Sequence, residues 1–244
     1  MKYLIINGSP RGKESNSNII SNWLSAGIIK STTLNKLFDF KSGVQTEEKD
    51  QNKNNESMQI DKFYTVDINS HKDAVSSIED NSTVIVVFPL YGDAMPAKTK
   101  LFFEELGEIA NKKESVKIYF IVHSGFEGAK HSRAVERYLI YLSQYLGFEY
   151  KGTAIKPGSE GMRFTPPEGI IKTKIDFLNL TKDISKGSQF NHETLKNLAG
   201  FELPPEAYKT GIKQSEGDTG YFSDMLKKNN VFDKVSDKPY QKEM

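Results

Sequence analysis

Three short stretches of this chain carry residue types suited to holding a ligand rather than to cleaving one. The first is Gly8-Ser9-Pro10-Arg11-Gly12-Lys13-Glu14-Ser15-Asn16-Ser17. Gly8 and Gly12 allow tight backbone turns, Ser9, Ser15, Asn16 and Ser17 offer short hydrogen-bonding groups, and Arg11 brings a permanent positive charge. A phosphate held where such a loop enters a helix meets unpaired N–H groups and the positive end of the helix dipole. The dipole supplies only ~0.3–1 kcal/mol, whereas each hydrogen bond to a charged group supplies ~1.5–3 kcal/mol. Hydroxyls and amides would therefore dominate such a site. The same residues equally suit an ordinary strand–helix connection whose serines cap the helix. The spacing is neither G-x-x-x-x-G-K-[ST] nor G-x-G-x-x-G, which argues against a nucleoside triphosphatase and a Rossmann dinucleotide site.

The second stretch is Pro89-Leu90-Tyr91-Gly92-Asp93-Ala94-Met95-Pro96. Two prolines stiffen it and Gly92 permits close backbone approach. Leu90, Tyr91 and Met95 can form an apolar platform for a flat ring, with backbone amides free for the ring's polar edge. Leu90 and Met95 suit a hydrophobic staple under the following helix equally well. The third stretch, His123-Ser124-Gly125-Phe126-Glu127-Gly128, again combines glycine with an aromatic. His123 directly follows an apolar run, so it fits a hydrogen-bonded core or edge histidine at least as well as a proton donor.

Other chemistries are excluded by composition. The chain has no cysteine, which removes disulfides, thiolate metal sites, iron–sulfur clusters and cysteine nucleophiles together. His71, His123, His131 and His192 are scattered without metal-ligand spacing, so no metal is expected. There is no G-x-S-x-G elbow and no persuasive carboxylate pair. The 33 basic and 32 acidic side chains leave a formal charge of +1, which gives nucleic acid or anionic lipid no field to follow. Hydrophobic residues at 37% and charged residues at 27% support a packed core with a wet surface. No apolar run approaches the ~18 residues needed to span a bilayer, and the apolar run after Lys2 is too short for a signal-peptide core. A cytoplasmic protein without membrane association is expected.

The elements that must position these loops alternate between strand and helix. Tyr3–Ile6, Phe63–Ile68, Thr83–Phe88, Val116–Val122 and Tyr150–Ile155 read as strands, the third apolar throughout as in a parallel sheet covered on both faces. Ile20, Leu24 and Ile28 mark one face of a helix that Ser15 or Ser17 can cap. Pro96 suits the first turn of a helix bearing Phe102, Leu106 and Ile109. Val135, Leu139, Leu142 and Leu146 form another helical stripe, and Ile170–Lys186, Glu193–Leu198 and Tyr221–Lys228 are further helices. Thr32–Phe40 is open to a strand reading. Glu47–Ser57 is entirely polar and reads as an exposed or disordered insertion, the centre of an interruption over about 41–60. The pattern predicts an open α/β sheet, with residues 1–187 as the main domain and 188–244 as a helical C-terminal extension.

G-S-P-R-x-x-x-S-N-S after the first strand, together with P-L-Y-x-x-x-M-P after the third, resembles the flavodoxin-fold NAD(P)H-dependent oxidoreductases, which include NADPH-dependent FMN reductases and quinone reductases. The motif-bearing likeness covers roughly residues 1–165, and Gly158-Ser159-Glu160-Gly161-Met162 is similar to the family's glycine-rich stretch after the fifth strand. The resemblance implies a doubly wound five-stranded parallel sheet in the order 2-1-3-4-5 with FMN in its crevice. It assigns phosphate contacts to Ser9, Arg11, Ser15, Asn16 and Ser17. It places the flavin ring against Pro89, Leu90, Tyr91, Gly92 and Met95, with Ser124, Gly125 and Phe126 closing the far side. The branch that carries an iron–sulfur cluster is excluded by the missing cysteines.

On this resemblance the expected activity is hydride transfer from NADPH or NADH through FMN to a small acceptor such as a quinone or free flavin. The flavin carries the chemistry, so no catalytic side chain is assigned, with Tyr91 left open as a candidate. Two rival readings stand beside it: a flavodoxin-like single-electron carrier, and an FMN-binding module without turnover. The extension holds Phe190, Leu195, Leu198, Phe201, Tyr208, Tyr221, Phe222, Met225, Leu226 and Phe232, too many apolar groups for a free tail. It is expected to pack on the main domain or across a homodimer contact, as dimers are common among the relatives.

Overall fold

The computed structural model describes residues 1–41, 58–108, 113–203, 221–234 and 237. The polar stretch 47–57, Ile109 and Tyr208 lie outside them. Five strands form one sheet in the order β2-β1-β3-β4-β5, and every pairing is parallel. They are β1 (Lys2–Asn7), β2 (Gln59–Tyr64), β3 (Thr83–Pro89), β4 (Lys117–His123) and β5 (Glu149–Lys156). Parallel neighbours require crossovers that cover both faces. The helices α1 (Asn16–Lys41), α2 (His71–Ser76), α3 (Ala97–Gly107), α4 (Arg133–Tyr145) and α5 (Pro167–Lys186) follow the five strands in turn. Two further helices are α6 (His192–Ala199) and α7 (Tyr221–Lys228).

The central strand β3 is buried at all of its positions, as its unbroken run of valine, isoleucine and phenylalanine requires. Its alternate side chains feed two separate cores. Val84, Val86 and Phe88 join Phe102, Leu106, Val135 and Leu139 of α3 and α4 on one face. Ile85 and Val87 join Ile20, Leu24 and Ile28 of α1 and Phe177, Leu180 and Ile184 of α5 on the other. Ser15 caps α1: its Oγ accepts the Asn18 N–H at 3.1 Å and donates to the Gly12 carbonyl at 2.6 Å. The segment Thr32–Phe40 continues α1 and is not a strand.

Two boundaries differ from the sequence reading. The second strand lies at Gln59–Tyr64 rather than Phe63–Ile68. It is an edge strand with no fully buried residue, so the apolar alternation that marks buried strands is weak there. The Thr65 N–H bonds back to the Asn7 carbonyl at 2.9 Å, and Ile68 falls in a 3-10 turn with 45% of its surface exposed. Pro96 stands one position before α3 with an extended ψ of 146°, so it introduces the helix rather than occupying its first turn.

The chain divides into two compact units, Met1–Glu202 and Leu203–Met244. Phe190 and Leu198 belong to the core of the first unit, and Phe190 lies 4.9 Å from the Tyr119 ring of β4. In the second unit the described part is α7 and the turn Phe232–Lys234, where Lys227 Nζ lies 4.8 Å from the centre of the Phe232 ring. Among the described residues no helix is long and apolar enough to cross a membrane, and no cluster of His, Asp and Glu is arranged to hold a metal ion.

Candidate functional site

The carboxyl ends of β1, β3, β4 and β5 open at the switch in strand order, where ligands of open α/β sheets bind. The loop after β1 is shaped from inside by Asn7, which is fully buried. Its Oδ1 accepts the Ser9 N–H at 2.9 Å, and its Nδ2 donates to the Gly12 carbonyl at 3.2 Å. Gly8 is required by packing: a Cβ there would lie 2.7 Å from both Phe88 Cβ and Thr99 Oγ1. Thr99 Oγ1 donates to the Gly8 carbonyl at 2.8 Å, which ties the loop to the start of α3.

Nine of the residues singled out from sequence line one cleft: Ser9, Arg11, Ser15, Asn16, Pro89, Leu90, Tyr91, Ser124 and Gly125. His123, Ser159 and Glu160 complete the wall around about 340 Å³ of empty space. The other four stand elsewhere. Ser17 is fully buried against His123. Met95 belongs to the core cluster beneath the loop. Gly92 and Asp93 form the tip of a two-residue hairpin with φ of 55° and 58°, closed by Tyr91 N–H to the Ala94 carbonyl at 2.9 Å and the reverse bond at 3.1 Å. Both positive angles fit a type I′ turn, so Gly92 serves the turn. Phe126 is 51% exposed and stacks on the His131 ring at 4.3 Å. Of the proposed ring platform, Leu90 is 6% exposed and Tyr91 46%, so Tyr91 is its accessible part.

His123, left between structural and chemical roles on sequence, sits at the centre of a directed hydrogen-bond chain. The Ser159 hydroxyl donates to the Ser124 carbonyl at 3.0 Å, which uses its single proton. The 2.9 Å contact between Ser159 Oγ and His123 Nδ1 therefore has the imidazole N–H as donor. Nε2 is then the acceptor, and the Ser17 hydroxyl donates to it at 2.7 Å. Burial pushes the His123 pKa down to about 3, in keeping with a neutral ring of one tautomer. The histidine thus ties α1, the end of β4 and the 158–161 turn together. Ser124 N–H to the Lys156 carbonyl, Ser159 N–H to the Ser124 carbonyl and Gly158 N–H to the Phe126 carbonyl, at 3.1, 2.8 and 2.7 Å, complete the lacing.

Asn16, the first residue of α1, is 9% exposed. Its Nδ2 donates to the Ser159 carbonyl at 2.6 Å and reaches the Glu160 carbonyl at 3.5 Å. Turning the amide over would set oxygen against oxygen, so its orientation is fixed by chemistry. Asn16 Oδ1 is consequently left buried without a hydrogen-bond partner, at a cost of ~1–3 kcal/mol. Sequence reasoning missed Ser159 and Glu160 as walls of the cleft and Asn7 as the buried residue that shapes its first loop. The turn residues after β5 were visible, but nothing local showed that they fold back onto α1.

A larger hollow, with about 850 Å³ of empty space, lies between α3 and α4 and is lined by Lys100, Phe103, Glu104, Tyr138, Tyr141, Leu142 and Tyr145. It is open, lacks a phosphate-binding loop and is away from the strand ends, so the smaller cleft is the candidate site.

A doubly wound sheet with a hydroxyl-rich loop entering a helix at its switch point defines a flavodoxin-like α/β protein. Within that class the chain belongs to the NADPH-dependent FMN reductase family, whose sequence pattern matches residues 1–153. Among solved structures, an oxidoreductase from Corynebacterium diphtheriae superposes with a TM-score of 0.54 at 13% identity, covering 77% of this chain and 96% of that one. The apo form of an NADH:FMN oxidoreductase gives a TM-score of 0.52 at 12% identity, covering 85% of this chain and 98% of that one. At such identities these two likenesses speak for the fold. No curated protein is similar to the chain at a significant level.

The cleft fits the cofactor that the family implies. The Arg11 guanidinium and the first N–H groups of α1, which have no acceptor within the helix, suit a phosphate. Pro89, Leu90 and Tyr91 offer an apolar wall at the same cleft.

Proposed function

We propose that the protein binds FMN in this cleft and uses it to pass hydride from NADPH or NADH to a small oxidised acceptor such as a quinone or a free flavin. The flavin ring supplies the two-electron chemistry when bound. Arg11, Ser9 and the amino end of α1 hold the phosphate, and Tyr91 stands at the open side, where a visiting molecule stacks. His123 orders the wall and exchanges no proton, because its ring is buried and both nitrogens are occupied. The observation that carries this reading is the convergence of Arg11, the start of α1 and the apolar wall of Pro89, Leu90 and Tyr91 on one cleft at the switch point.

Titration with FMN, followed by quenching of flavin fluorescence, tests the binding. Arg11→Ala is expected to weaken FMN about tenfold or more, since a hydrogen bond to a charged group supplies ~1.5–3 kcal/mol. Rapid mixing of the loaded protein with NADPH or NADH tests the reaction. Bleaching of the flavin within one mixing cycle supports the reductase, and a flavin inert to both nicotinamides overturns it in favour of a carrier or a binding module. We also propose a homodimer, supported by Tyr138, Tyr141 and Tyr145, which are 45%, 71% and 69% exposed along α4. Light scattering that returns a monomer mass overturns it.

A further inference from the structure

We infer that the protein carries a second anion site, for a phosphate group, at the opposite end of the sheet from the candidate cleft. A hollow with about 530 Å³ of empty space lies at the amino ends of β1, β3 and β4, beside the last turn of α5. Its wall includes Lys2, Tyr3, Thr83, Lys117, Lys186 and Gly187, and no carboxylate is part of it. Along β3, the seven residues from Thr83 to Pro89 separate it from the cleft by about 20 Å, at ~3.3 Å per residue. The two sites are therefore distinct.

Strand register builds the hollow. Tyr3 stands opposite Thr83, and Thr83 opposite Lys117. Alternation puts all three on the face that α5 covers, with Ile5, Ile85 and Tyr119. Thr83 is 8% exposed, and its hydroxyl has no hydrogen-bond partner among the described residues. Lys117 runs its stem along Gly187, where a Cβ would lie 3.0 Å from Cε, 3.2 Å from Cδ and 3.8 Å from Nζ. Among the described residues neither the Lys117 nor the Lys186 ammonium has a partner, whereas Lys2 is held by Glu79 at 2.6 Å. Nor does the end of α5 depend on them for capping, since its Asp183 and Ile184 carbonyls accept the Ser188 and Gly187 N–H groups at 3.1 and 3.0 Å. The carboxylates whose charge reaches Tyr119 are engaged elsewhere, Asp183 with the Asn191 N–H at 2.9 Å and Glu149 with Lys151 at 2.5 Å. Two unpaired ammoniums and a hydroxyl with a proton to give match a group that offers acceptors and two negative charges. A phosphate near neutral pH is largely such a dianion, with a second pKa of about 6, and a carboxylate carries half that charge.

Titrating the isotope-labelled full-length protein with inorganic phosphate, at an ionic strength held constant with sodium chloride, tests this residue by residue through amide chemical shifts and needs no flavin. Saturable shifts are expected at Thr83, Lys117 and Gly187, resolved from any in the Ser9–Ser17 loop of the cleft. Lys117→Met is expected to weaken the phosphate about tenfold, as for one lost hydrogen bond to a charged group, and Thr83→Val to weaken it less. Arg11→Ala should leave these shifts at wild-type strength, and acetate should bind there more weakly than phosphate. Shifts that grow without saturating, that acetate reproduces at the same concentrations, or that survive Lys117→Met unchanged overturn the inference. If Lys117→Met does not fold, Lys186→Met takes its place under the same criteria. β-Glycerol phosphate then separates the two sources of such a group: tighter binding of the ester assigns the site to a small phosphorylated molecule, and tighter binding of the free ion to inorganic phosphate. Binding of neither rejects the site. Because the readout lies away from the cleft, a protein that fails to bind FMN would remove the flavin reading and leave this result standing.

Discussion

His123 shows how burial alone converts an ionisable residue into a fixed structural strut. Both ring nitrogens are satisfied by serines and the pKa is pushed down to about 3 by burial. In the unfolded chain the same histidine titrates at about 6.5. Between these values the unfolded state takes up a proton that the folded state refuses, so the contribution of this group to stability is full above about pH 6.5 and is lost as the pH falls toward 3. Unfolding by urea at several pH values should show stability declining on the acid side by up to about tenfold in the folding constant per pH unit for one proton. His123→Gln should flatten that slope relative to wild type; an unchanged slope would assign it to other groups. At this scale the sequence was partly legible. Serine, asparagine and arginine could be named as ligand-holding types, but partners such as Ser17 and His123 are 106 positions apart and no local pattern joins them.

Elements are governed by close approach. Gly27 of α1 faces α5, where an added Cβ would lie 2.7 and 2.8 Å from Thr181 Oγ1 and Cγ2 and 2.9 Å from Leu178 Cδ2. Alanine gains about 1 kcal/mol of helix propensity over glycine, while overpacking costs ~1–3 kcal/mol. Thr181 is fully buried and its hydroxyl is bonded to the Leu178 carbonyl at 2.6 Å, so the clash cannot be relieved by a simple rotation and should win. Gly27→Ala is expected to lower the thermal midpoint by a few degrees; a raised midpoint would show that the two helices separate freely. The same contrast explains which elements were readable. β3, β4 and α4 announce themselves through long apolar runs or stripes. β2 does not, because an edge strand buries too little to impose alternation, and the short helix α2 has only Ala74 and Val75 as buried apolar anchors.

For the whole molecule, binding and stability are linked. FMN at a hundred times its dissociation constant should add about 2.7 kcal/mol to the stability of the first unit, a rise of roughly 5–10 °C in its melting temperature for a domain of this size. Differential scanning calorimetry checks this, and a midpoint insensitive to FMN would deny a native-state site. The alternating elements pointed to an open α/β sheet, the family resemblance carried by the two loop motifs implied its strand order, and the structure bears both out. The first unit extends past α5. It runs through α6 to Glu202, because Phe190 and Leu198 complete the core and Arg133 holds Glu202 in a two-pronged ion pair.

Loops that bind ligands usually exchange their amide hydrogens quickly with solvent. Here the amide of Ser124 is bonded to the end of β5 and those of Gly158 and Ser159 to the loop after β4, and Ser124 and Ser159 are almost fully buried. In deuterated water, without any cofactor, these three positions should retain hydrogen nearly as long as the amides of β4. The scaffold around the cleft would then be rigid before any guest arrives.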